Sequence, residues 1–184
     1  MNVKLKAHTS LLLSGLIFGV NYWIAKGLMP DPLLPRQIIF IRIFFAAILF
    51  WLLSNGIKKE KVQPRHLLLI ALSSTLGVAV NQIFFFEGLN LTTPVDAAIL
   101  HSTSPIMVLI FAALIIRERI RAVNVLGVLI GAAGAILLVV SGKNLEVFRG
   151  NMLGNIFIVI NISAYAMYLV LIKPMMQQYH PFTV

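Results

Sequence analysis

Residues 97–116 read AAILHSTSPIMVLIFAALII, and these twenty residues contain no aspartate, glutamate, lysine or arginine. A helix of about 20 apolar residues spans the hydrocarbon core of a bilayer, which is roughly 30 Å thick. The length and composition of this stretch therefore predict a transmembrane helix. Stretches of the same kind recur along the rest of the chain.

Six apolar runs account for most of the sequence. They occupy residues 10–28, 37–54, 67–86, 97–116, 123–141 and 152–172. The chain has 15 basic and 6 acidic residues, and only two of these 21, Lys26 and Arg42, fall inside a run. A transmembrane β-barrel would instead show alternating segments of about 10 residues. We predict an all-α membrane protein with six transmembrane helices.

The composition excludes other classes of protein. Hydrophobic residues make up 59% of the chain and charged residues 11%, whereas a soluble domain carries about 25% charged residues. The mean hydropathy of +0.93 also excludes intrinsic disorder, which requires low hydrophobicity. The chain has no cysteine, so a disulfide framework, a thiolate metal site and a cysteine nucleophile are excluded.

The net charge of +9 is explained by the connections between the runs. Lysine and arginine concentrate in the cytoplasmic loops of membrane proteins, and a cytoplasmic amino terminus places ten of these residues inside and four outside. The ten are Lys4, Lys6, Lys58, Lys59, Lys61, Arg65, Arg117, Arg119, Arg121 and Lys173, and the four are Lys26, Arg36, Lys143 and Arg149. We predict a multi-pass protein of the inner (plasma) membrane whose partner is the lipid bilayer and not nucleic acid.

The first and sixth runs resemble each other. Residues 18–26, FGVNYWIAK, align with residues 165–173, YAMYLVLIK, at an offset of 147 residues. Five helices precede the second copy, so the two copies cross the membrane in opposite directions. Inverted repeats of this kind are common in secondary transporters.

The chain resembles the EamA-type transporters of the drug/metabolite transporter superfamily. The resemblance rests on Gly19-Val-Asn-Tyr, Phe40-Ile-Arg-Ile-Phe, Phe86-Glu-Gly-Leu and Thr93-Pro-Val-Asp-Ala-Ala. The most specific part is Ser104-Pro105 followed by Arg117-Glu118-Arg119 and then by Gly127, Gly131 and Gly134. Family members carry two inverted units of five helices. The resemblance implies one five-helix unit in residues 1–142 and the first helix of a second, inverted unit in 143–184.

The resemblance implies a secondary transporter that exports small metabolites by alternating access between the two units, and Arg42 suggests a substrate with a carboxylate, such as an amino acid. Two alternatives remain at this point. The chain is a truncated membrane fragment that does not transport, or it is a small multidrug-type exporter that acts as a homo-oligomer. The second alternative requires a carboxylate in the first helix, where this sequence has Asn21.

Polar residues inside the runs suggest a substrate cavity. Uncharged polar side chains often join transmembrane helices, but several here lie at similar depth in different helices. We predict that the substrate-binding residues are Asn21, Tyr22, Arg42, Asn81, Gln82, His101 and Tyr168. Trp23 and Tyr165 are further candidates for an aromatic wall.

Ionisable residues inside a membrane are candidates for function. Arg42 either binds an anionic group of the substrate or has a structural role. Glu87 pairs with Arg42 or Lys26, takes a coupling proton, or is solvated. His101, whose ordinary pKa near 6.5 suits proton relay, either couples transport to protons or is hydrogen-bonded within the bundle.

Other motifs have structural interpretations. Thr93, Pro94 and Asp96 predict a helix start with threonine at the N-cap and an acid at N3. Pro105 predicts a kink that could serve as a hinge. Gly15-x-x-x-Gly19 and Gly127-x-x-x-Gly131 predict close helix packing, whereas Gly150-x-x-x-Gly154 begins outside its helix. Glu118 is expected to pair with Arg121 at i, i+3.

The sequence argues against catalysis. Glu87, Asp96 and His101 lie within 15 residues, but no nucleophile or metal-ligand set completes a site around them. A phosphate-binding Gly-x-x-x-x-Gly-Lys-Ser/Thr motif does not occur in the chain, which disfavours ATP-driven pumping. We predict a protein that is not an enzyme, that binds no metal or cofactor, and whose partner is a small-molecule substrate.

Overall fold

The structure, a computed structural model, describes residues 3–54, 60–118, 120–140 and 150–184. The helices are α1 (Val3–Leu28), α2 (Pro35–Ser54), α3 (Pro64–Ser74), a π-helical turn (Thr75–Val80), α4 (Asn81–Leu91), α5 (Pro94–His101), α6 (Ser104–Ile115), α7 (Ala122–Val140) and α8 (Met152–Gln178). The described ranges contain no β-strand. The predicted all-α fold class is confirmed.

The helices reproduce the six apolar runs. The third run forms one continuous span from Pro64 to Leu91, and the fourth forms a span from Pro94 to Ile115. Within the described residues, five helices are long and apolar enough to cross a membrane, and a further stretch, Ala122–Gly134 of α7, is apolar but shorter. This is the pattern of a six-helix membrane protein.

Some of the sequence predictions fall in the gaps between the described ranges. They are the basic residues Lys58, Lys59, Arg119, Lys143 and Arg149 and the predicted boundary between residues 142 and 143.

The fourth span starts as predicted. Thr93 is the N-cap of α5, its hydroxyl oxygen accepts a hydrogen bond from the Asp96 backbone N–H at 3.0 Å, and a proline occupies the first turn. Asp96 is fully buried, and its Oδ2 also accepts a hydrogen bond from the Gly150 N–H at 2.8 Å. The cap therefore fixes the start of α5 and also holds the segment that leads into α8.

The same span is interrupted near its middle. Ser104 and Pro105 begin α6 after a turn at residues 102 and 103. Proline has no backbone N–H to donate to the carbonyl oxygen four residues earlier, which here belongs to His101. The hydroxyls of Ser102 and Thr103 donate to the Ile99 and Leu100 carbonyl oxygens at 2.6 Å. The interruption predicted at Pro105 is thus present, and its role as a hinge stays a prediction.

The long helix α8 lies at the centre of the packing. It contacts α3, α4, α5 and α6. The core between α8 and α4 contains Phe86, Leu89, Ile158 and Ile162, whose side chains are almost completely buried. Helices α1 and α2 lie at the periphery, and most of their large apolar side chains are exposed.

The close helix contacts lie at other glycines than the sequence predicts. A Cβ atom added to Gly15, Gly19, Gly127 or Gly131 would meet no atom of the described chain within 4 Å. A Cβ on Gly154 would lie 2.8 Å from the Leu91 Cβ. Within the described residues the first two glycine motifs therefore make no close contact, and the third motif, at residues 150–154, forms the tight one.

Two lysines mark the opposite ends of the bundle, called here the Lys26 end and the Lys173 end. Lys26 Nζ donates to the carbonyl oxygens of Leu89, Asn90 and Thr92 at 2.7–2.9 Å and so caps the carboxyl end of α4. At the other end, Lys173 forms an ion pair of 2.7 Å with Glu118. The expected partner of Glu118, Arg121, is replaced by a lysine from α8.

Candidate functional site

A cavity of about 380 Å³ lies between α1, α2, α4, α5, α6 and α8. It is lined by Phe18, Asn21, Tyr22, Arg42, Gly77, Asn81, Gln82, Phe85, His101, Ser104, Asn161, Ile162 and Tyr165. Six of the seven predicted substrate-binding residues are among them: Asn21, Tyr22, Arg42, Asn81, Gln82 and His101. Residues from distant parts of the sequence therefore meet around one space.

The seventh predicted residue, Tyr168, lies behind the cavity wall. Its ring packs on Gly77, where an added Cβ would overlap the ring carbons. Gly77 itself lines the cavity, so Tyr168 supports the wall from outside. Tyr165 of α8 lines the cavity, as Tyr22 of α1 does, whereas Trp23 is 68% exposed and is not among the lining residues.

Glu87 also lies outside the cavity lining. Its Oε1 is 3.5 Å from Arg36 Nε, so its partner is neither Arg42 nor Lys26, as the sequence suggested. Arg36 is almost fully exposed, and an exposed ion pair of this kind contributes little to stability.

Arg42 is the one formally charged residue among the residues that line the cavity. Its Nη1 donates a hydrogen bond of 2.7 Å to Asn21 Oδ1, and its guanidinium carbon lies 5.2 Å from the centre of the Phe86 ring. A cation over an aromatic ring is stabilised by the ring quadrupole. These contacts leave other guanidinium donors available to an anionic group.

The amide side chains of α4 and α8 form a network beside the cavity. Asn161 Nδ2 donates to the Asn81 carbonyl at 2.7 Å, and Asn81 Nδ2 lies 3.5 Å from the Asn161 carbonyl. Gln82 Nε2 donates to Asn81 Oδ1 at 3.4 Å. The π-helical turn ends immediately before Asn81, and such turns are frequent at functional sites.

His101 occupies the last turn of α5, directly before the interruption of the span. Its Nδ1 lies 3.0 Å from the Ala97 carbonyl oxygen. The rings of Tyr22 and Phe85 meet the imidazole edge to face, with ring centres 5.6 and 5.8 Å away. The imidazole is thus held by one hydrogen bond and two aromatic rings while it lines the cavity.

The predicted set of substrate-binding residues omits several of the residues that line the cavity. Asn161, Ser104, Phe18 and Phe85 belong to the lining. The sequence alone could have identified Asn161 as a lining residue, because it is an amide in the middle of an apolar run. It could not have identified the two phenylalanines, because aromatic residues are frequent on every face of these helices. Among the described residues, no group of three histidine, aspartate or glutamate side chains converges as a metal site would require.

Comparison with known proteins identifies the family. The chain matches the EamA-like transporter family over residues 5–140. It is 27% identical to the uncharacterized transporter YyaM of Bacillus subtilis over 54% of this chain and 36% of that protein. It is 29% identical to a WAT1-related protein of Arabidopsis thaliana over 61% of this chain and 33% of that protein.

A third relative covers more of the chain. An uncharacterized transporter of Clostridium kluyveri is 21% identical over 95% of this chain and 58% of that protein. The chain thus covers less than two thirds of the length of each of these three relatives. No solved structure matches the chain. The family match spans most of the sequence and agrees with the helical, multi-pass architecture, and the chain belongs to the EamA-like transporter family of membrane transporters.

Proposed function

We propose that this protein is a secondary transporter of the inner membrane that exports small metabolites such as amino acids. The observation that supports this proposal best is the cavity, in which residues of six helices, among them one cation, several amides and several aromatic rings, surround a single space. Binding sites of transporters lie between helices and combine apolar walls with a few polar groups. The predicted binding residues that line the cavity are the ones we propose to bind the substrate.

The chemistry of the cavity suits a small solute that carries an anionic group. Arg42 supplies fixed positive charge, since an arginine side chain stays protonated in proteins. No aspartate or glutamate is among the residues that line the cavity, so the guanidinium has no carboxylate partner within the lining. A substrate carboxylate, as in an amino acid, would supply one. The rings of Phe18, Tyr22 and Phe85 would pack on the rest of the molecule.

The proposal of two inverted units is supported by the contrast between α1 and α8. At the offset of 147 residues, Ile158, Ile162, Ala166 and Val170 of α8 correspond to Leu11, Gly15, Gly19 and Trp23 of α1. The four positions of α8 are at most 3% exposed, whereas Leu11 is 70% and Trp23 68% exposed. A Cβ on either of the two glycines would meet no atom within 4 Å.

This contrast is the one that two-fold pseudo-symmetry predicts. Helix α8 packs on the third and fourth spans of the first unit. By the same symmetry, α1 would pack on the third and fourth spans of a second, inverted unit. We therefore propose residues 1–142 as one unit and 143–184 as the start of the other, with alternating access as a rocking of one unit against the other.

The orientation follows from the charges. We propose that the Lys173 end faces the cytoplasm, together with the amino terminus. Arg117 and Arg121 belong to the connection at this end, and Lys26 and Arg36 belong to the opposite end. This orientation is proposed because positively charged residues near the ends of the spans resist translocation across the membrane.

Transport by variants of the cavity tests the proposed function. Proteoliposomes that contain the purified protein are loaded with a mixture of the twenty common L-amino acids. Counterflow of each amino acid is followed by mass spectrometry. Gln82→Ala and His101→Ala are expected to lower the flux without lowering the amount of protein in the membrane. Gln178→Ala, on an exposed turn of α8, is the matched control. Unchanged flux in both cavity variants would remove Gln82 and His101 from the site.

The intact mass of the protein in native membranes tests the two-unit proposal. A mass well above the 20.4 kDa of residues 1–184 supports a second unit in the same polypeptide. A mass near 20.4 kDa means that any cover for α1 comes from another chain, so that transport requires an oligomer.

A further inference from the structure

A second cavity, of about 200 Å³, lies between α6, α8 and the start of α7. Its polar lining residues are Glu118, Asn124 and Lys173, and the others that line it are apolar. The ion pair of Lys173 and Glu118 is thus part of its wall. Both charged side chains are about half exposed, so the pair lies at the mouth of the cavity, where the cavity meets the surface of the protein.

The second cavity continues the central cavity along α8. Ile162 and Tyr165 line the central cavity, and Leu169 and Lys173 line the second one. Residues three or four positions apart lie on the same face of a helix, so these four residues form one stripe of α8. Tyr165 and Leu169 bound the two cavities, and they are separated by about 6 Å along the helix axis at 1.5 Å per residue.

The facing wall shows the same order on α6. Ser104 lines the central cavity, whereas Val108, Ala112 and Ile116 line the second one. These residues follow one another at intervals of four, which keeps each next to the last on one side of the helix. Helices α6 and α8 pack against each other. The two cavities therefore lie in line between α6 and α8, from the centre of the bundle to the Lys173 end.

The end of α6 positions Glu118 at the mouth of this path. Helix α6 ends at Ile115, and Arg117 has a left-handed conformation with a φ of 52°. The Glu118 backbone N–H donates to the Ala112 carbonyl oxygen, six residues earlier, at 3.2 Å. This is the hydrogen bond of a Schellman motif, which ends a helix by turning the chain back over its last carbonyls. The backbone of Glu118 is thus fixed independently of its contact with Lys173.

Helix α8 is weakened next to Lys173. Pro174 lies inside α8 and has no backbone N–H to donate to the carbonyl oxygen four residues earlier. That carbonyl belongs to Val170, which lines the second cavity. Helices bend at proline because this hydrogen bond is missing. A bend between Val170 and Pro174 changes the position of Lys173 relative to Glu118 without breaking a hydrogen bond at that point of the helix.

We propose that the second cavity is the cytoplasmic entrance of the translocation path and that the Lys173–Glu118 ion pair is its gate. This proposal rests on the transport function and the orientation proposed above. With the pair formed, the connection after α6 is held against α8 and the path is closed at the Lys173 end. When the pair separates and α8 bends at Pro174, the central cavity opens to the cytoplasm through the second cavity.

The pair has the properties that a gate requires. An exposed ion pair is weak, so thermal motion breaks it readily in each transport cycle. It also joins the two proposed units, because Glu118 belongs to residues 1–142 and Lys173 to residues 143–184. Lys26, which corresponds to Lys173 at the offset of 147 residues, instead donates to carbonyl oxygens at the end of α4, within its own unit. The contact across the units is thus formed at the Lys173 end.

Access of a thiol reagent from the cytoplasmic side tests the gate. Residues 1–184 contain no cysteine, so a cysteine introduced by Ser104→Cys reports on the central cavity. The full-length Ser104→Cys protein in inside-out membrane vesicles is exposed to a membrane-impermeant methanethiosulfonate, and the rate of modification is followed by mass spectrometry. The protein without the introduced cysteine gives the background.

Removal of either charge is expected to open the gate. In Glu118→Gln and in Lys173→Gln, the rate of modification of the Ser104→Cys protein should rise by about two- to fivefold, which is the shift in an equilibrium that loss of an exposed ion pair can produce. A direct effect of charge on the reagent would move the two rates in opposite directions. Arg121→Gln, which removes a charge from the same connection, is the matched control and should leave the rate unchanged.

Exchange of the two charges separates a pair from two independent residues. Lys173→Glu combined with Glu118→Lys is expected to return the rate toward its original value, because the ion pair can form again with its partners exchanged. Ala112→Cys, in the second cavity, is a second reporter with the same expected response, and it keeps the test decisive if Ser104→Cys does not reach the membrane.

The outcomes distinguish the gate from the function on which it rests. Equal rates of modification in the parent protein and in both single variants would overturn the gate, as would a charge-exchanged protein that is modified as fast as the single variants. If counterflow of amino acids is normal in the same parent protein, the proposed function stands without this gate. Absence of counterflow for every amino acid, with the expected pattern of modification, would overturn the proposed substrate class and support the gate.

Discussion

Gly88 and Gly154 bring α4 and α8 into backbone contact, because a Cβ on Gly88 would lie 3.0 Å from the Gly154 carbonyl oxygen. Close approach of this kind lets helices gain van der Waals contact in the absence of a hydrophobic driving force between them. The contact also sets the position of the cavity, since Asn81 and Gln82 begin α4 and Asn161 follows Gly154 by two turns of α8.

A methyl group at this contact is expected to destabilise the protein. Gly154→Ala would place Cβ 2.8 Å from both the Leu91 Cβ and the Thr92 nitrogen, and overpacking of this kind typically costs about 1–3 kcal/mol. Thermal unfolding in detergent measures the change. Gly127→Ala is the matched control, because the added Cβ would meet nothing within 4 Å. Equal melting temperatures for the two variants would contradict the close contact.

Removal of the lysine that caps α4 is expected to destabilise the bundle at the Lys26 end. Lys26 Nζ donates to the carbonyl oxygens of three residues at the end of α4. A hydrogen bond to a charged group typically contributes about 1.5–3 kcal/mol to stability. Lys26→Met should therefore lower the melting temperature clearly. Lys6→Met, at an exposed position near the start of α1, should leave it unchanged. A Lys26→Met protein as stable as wild type would show that water satisfies these carbonyls equally well.

The ion pair at the Lys173 end is expected to contribute little. Lys173 and Glu118 are about half exposed, and exposed pairs contribute roughly 0.2–1 kcal/mol. A double-mutant cycle with Lys173→Met and Glu118→Gln measures the coupling by thermal unfolding. The same cycle with Arg121→Met in place of Lys173→Met should give no coupling. A larger coupling to Arg121 than to Lys173 would restore the pairing expected from the sequence.

Acid is expected to release the segment after α8. The His180 backbone N–H donates to Glu60 Oε2 at 2.9 Å, and this bond, together with a hydrogen bond from Thr183, lowers the pKa of the Glu60 carboxyl below its ordinary value of 4.5. Because the pKa of the Glu60 carboxyl is lower in the folded state, its ionised form stabilises the fold at pH values above the ordinary pKa of 4.5. This stabilisation is lost as the pH falls through the lower, folded-state pKa. The contact should thus persist from neutral pH to 4.5 and disappear below it.

Hydrogen–deuterium exchange of the His180 amide, corrected for the intrinsic effect of pH, measures this release. In wild-type protein the protection should fall as the pH drops below 4.5. In Glu60→Gln the protection should be weaker and independent of pH in that range. Protection that falls equally in both proteins would assign the release to another group.

Much of the fold could be predicted from particular residues. The proline at N1 and the threonine cap at residues 93–96 specify a helix start by local hydrogen bonding alone, and the structure has that start. Polar residues such as Asn81, Gln82 and His101 predicted a shared cavity, because polar side chains within a membrane usually face the interior of the helix bundle. These inferences need only the sequence near each residue.

The partners of the charged residues could not be predicted in this way. Glu87 pairs with Arg36 and Glu118 with Lys173, and these pairs depend on which helices are neighbours. The sequence suggested other cations: Arg121, which is close to Glu118 along the chain, and Arg42 or Lys26, which were expected near Glu87 at the outer ends of the spans. The same applies to Tyr168, which reaches the back of Gly77 because α8 packs beside the π-helical turn.

The sequence by itself determined where the apolar spans lie along the chain and where several of them begin, although the helices extend beyond the predicted runs, as α1 does in starting at Val3. The free energy of placing a segment in a bilayer is a sum over its own residues, so it can be read without knowing the neighbours. Only the tertiary structure decided which faces of the helices meet. Helices such as α6 and α7 are apolar on nearly every side, so hydrophobicity does not distinguish a face toward lipid from a face toward protein. Small residues and individual hydrogen bonds determine which faces pack together, and each of them contributes to stability only when the two helices are adjacent.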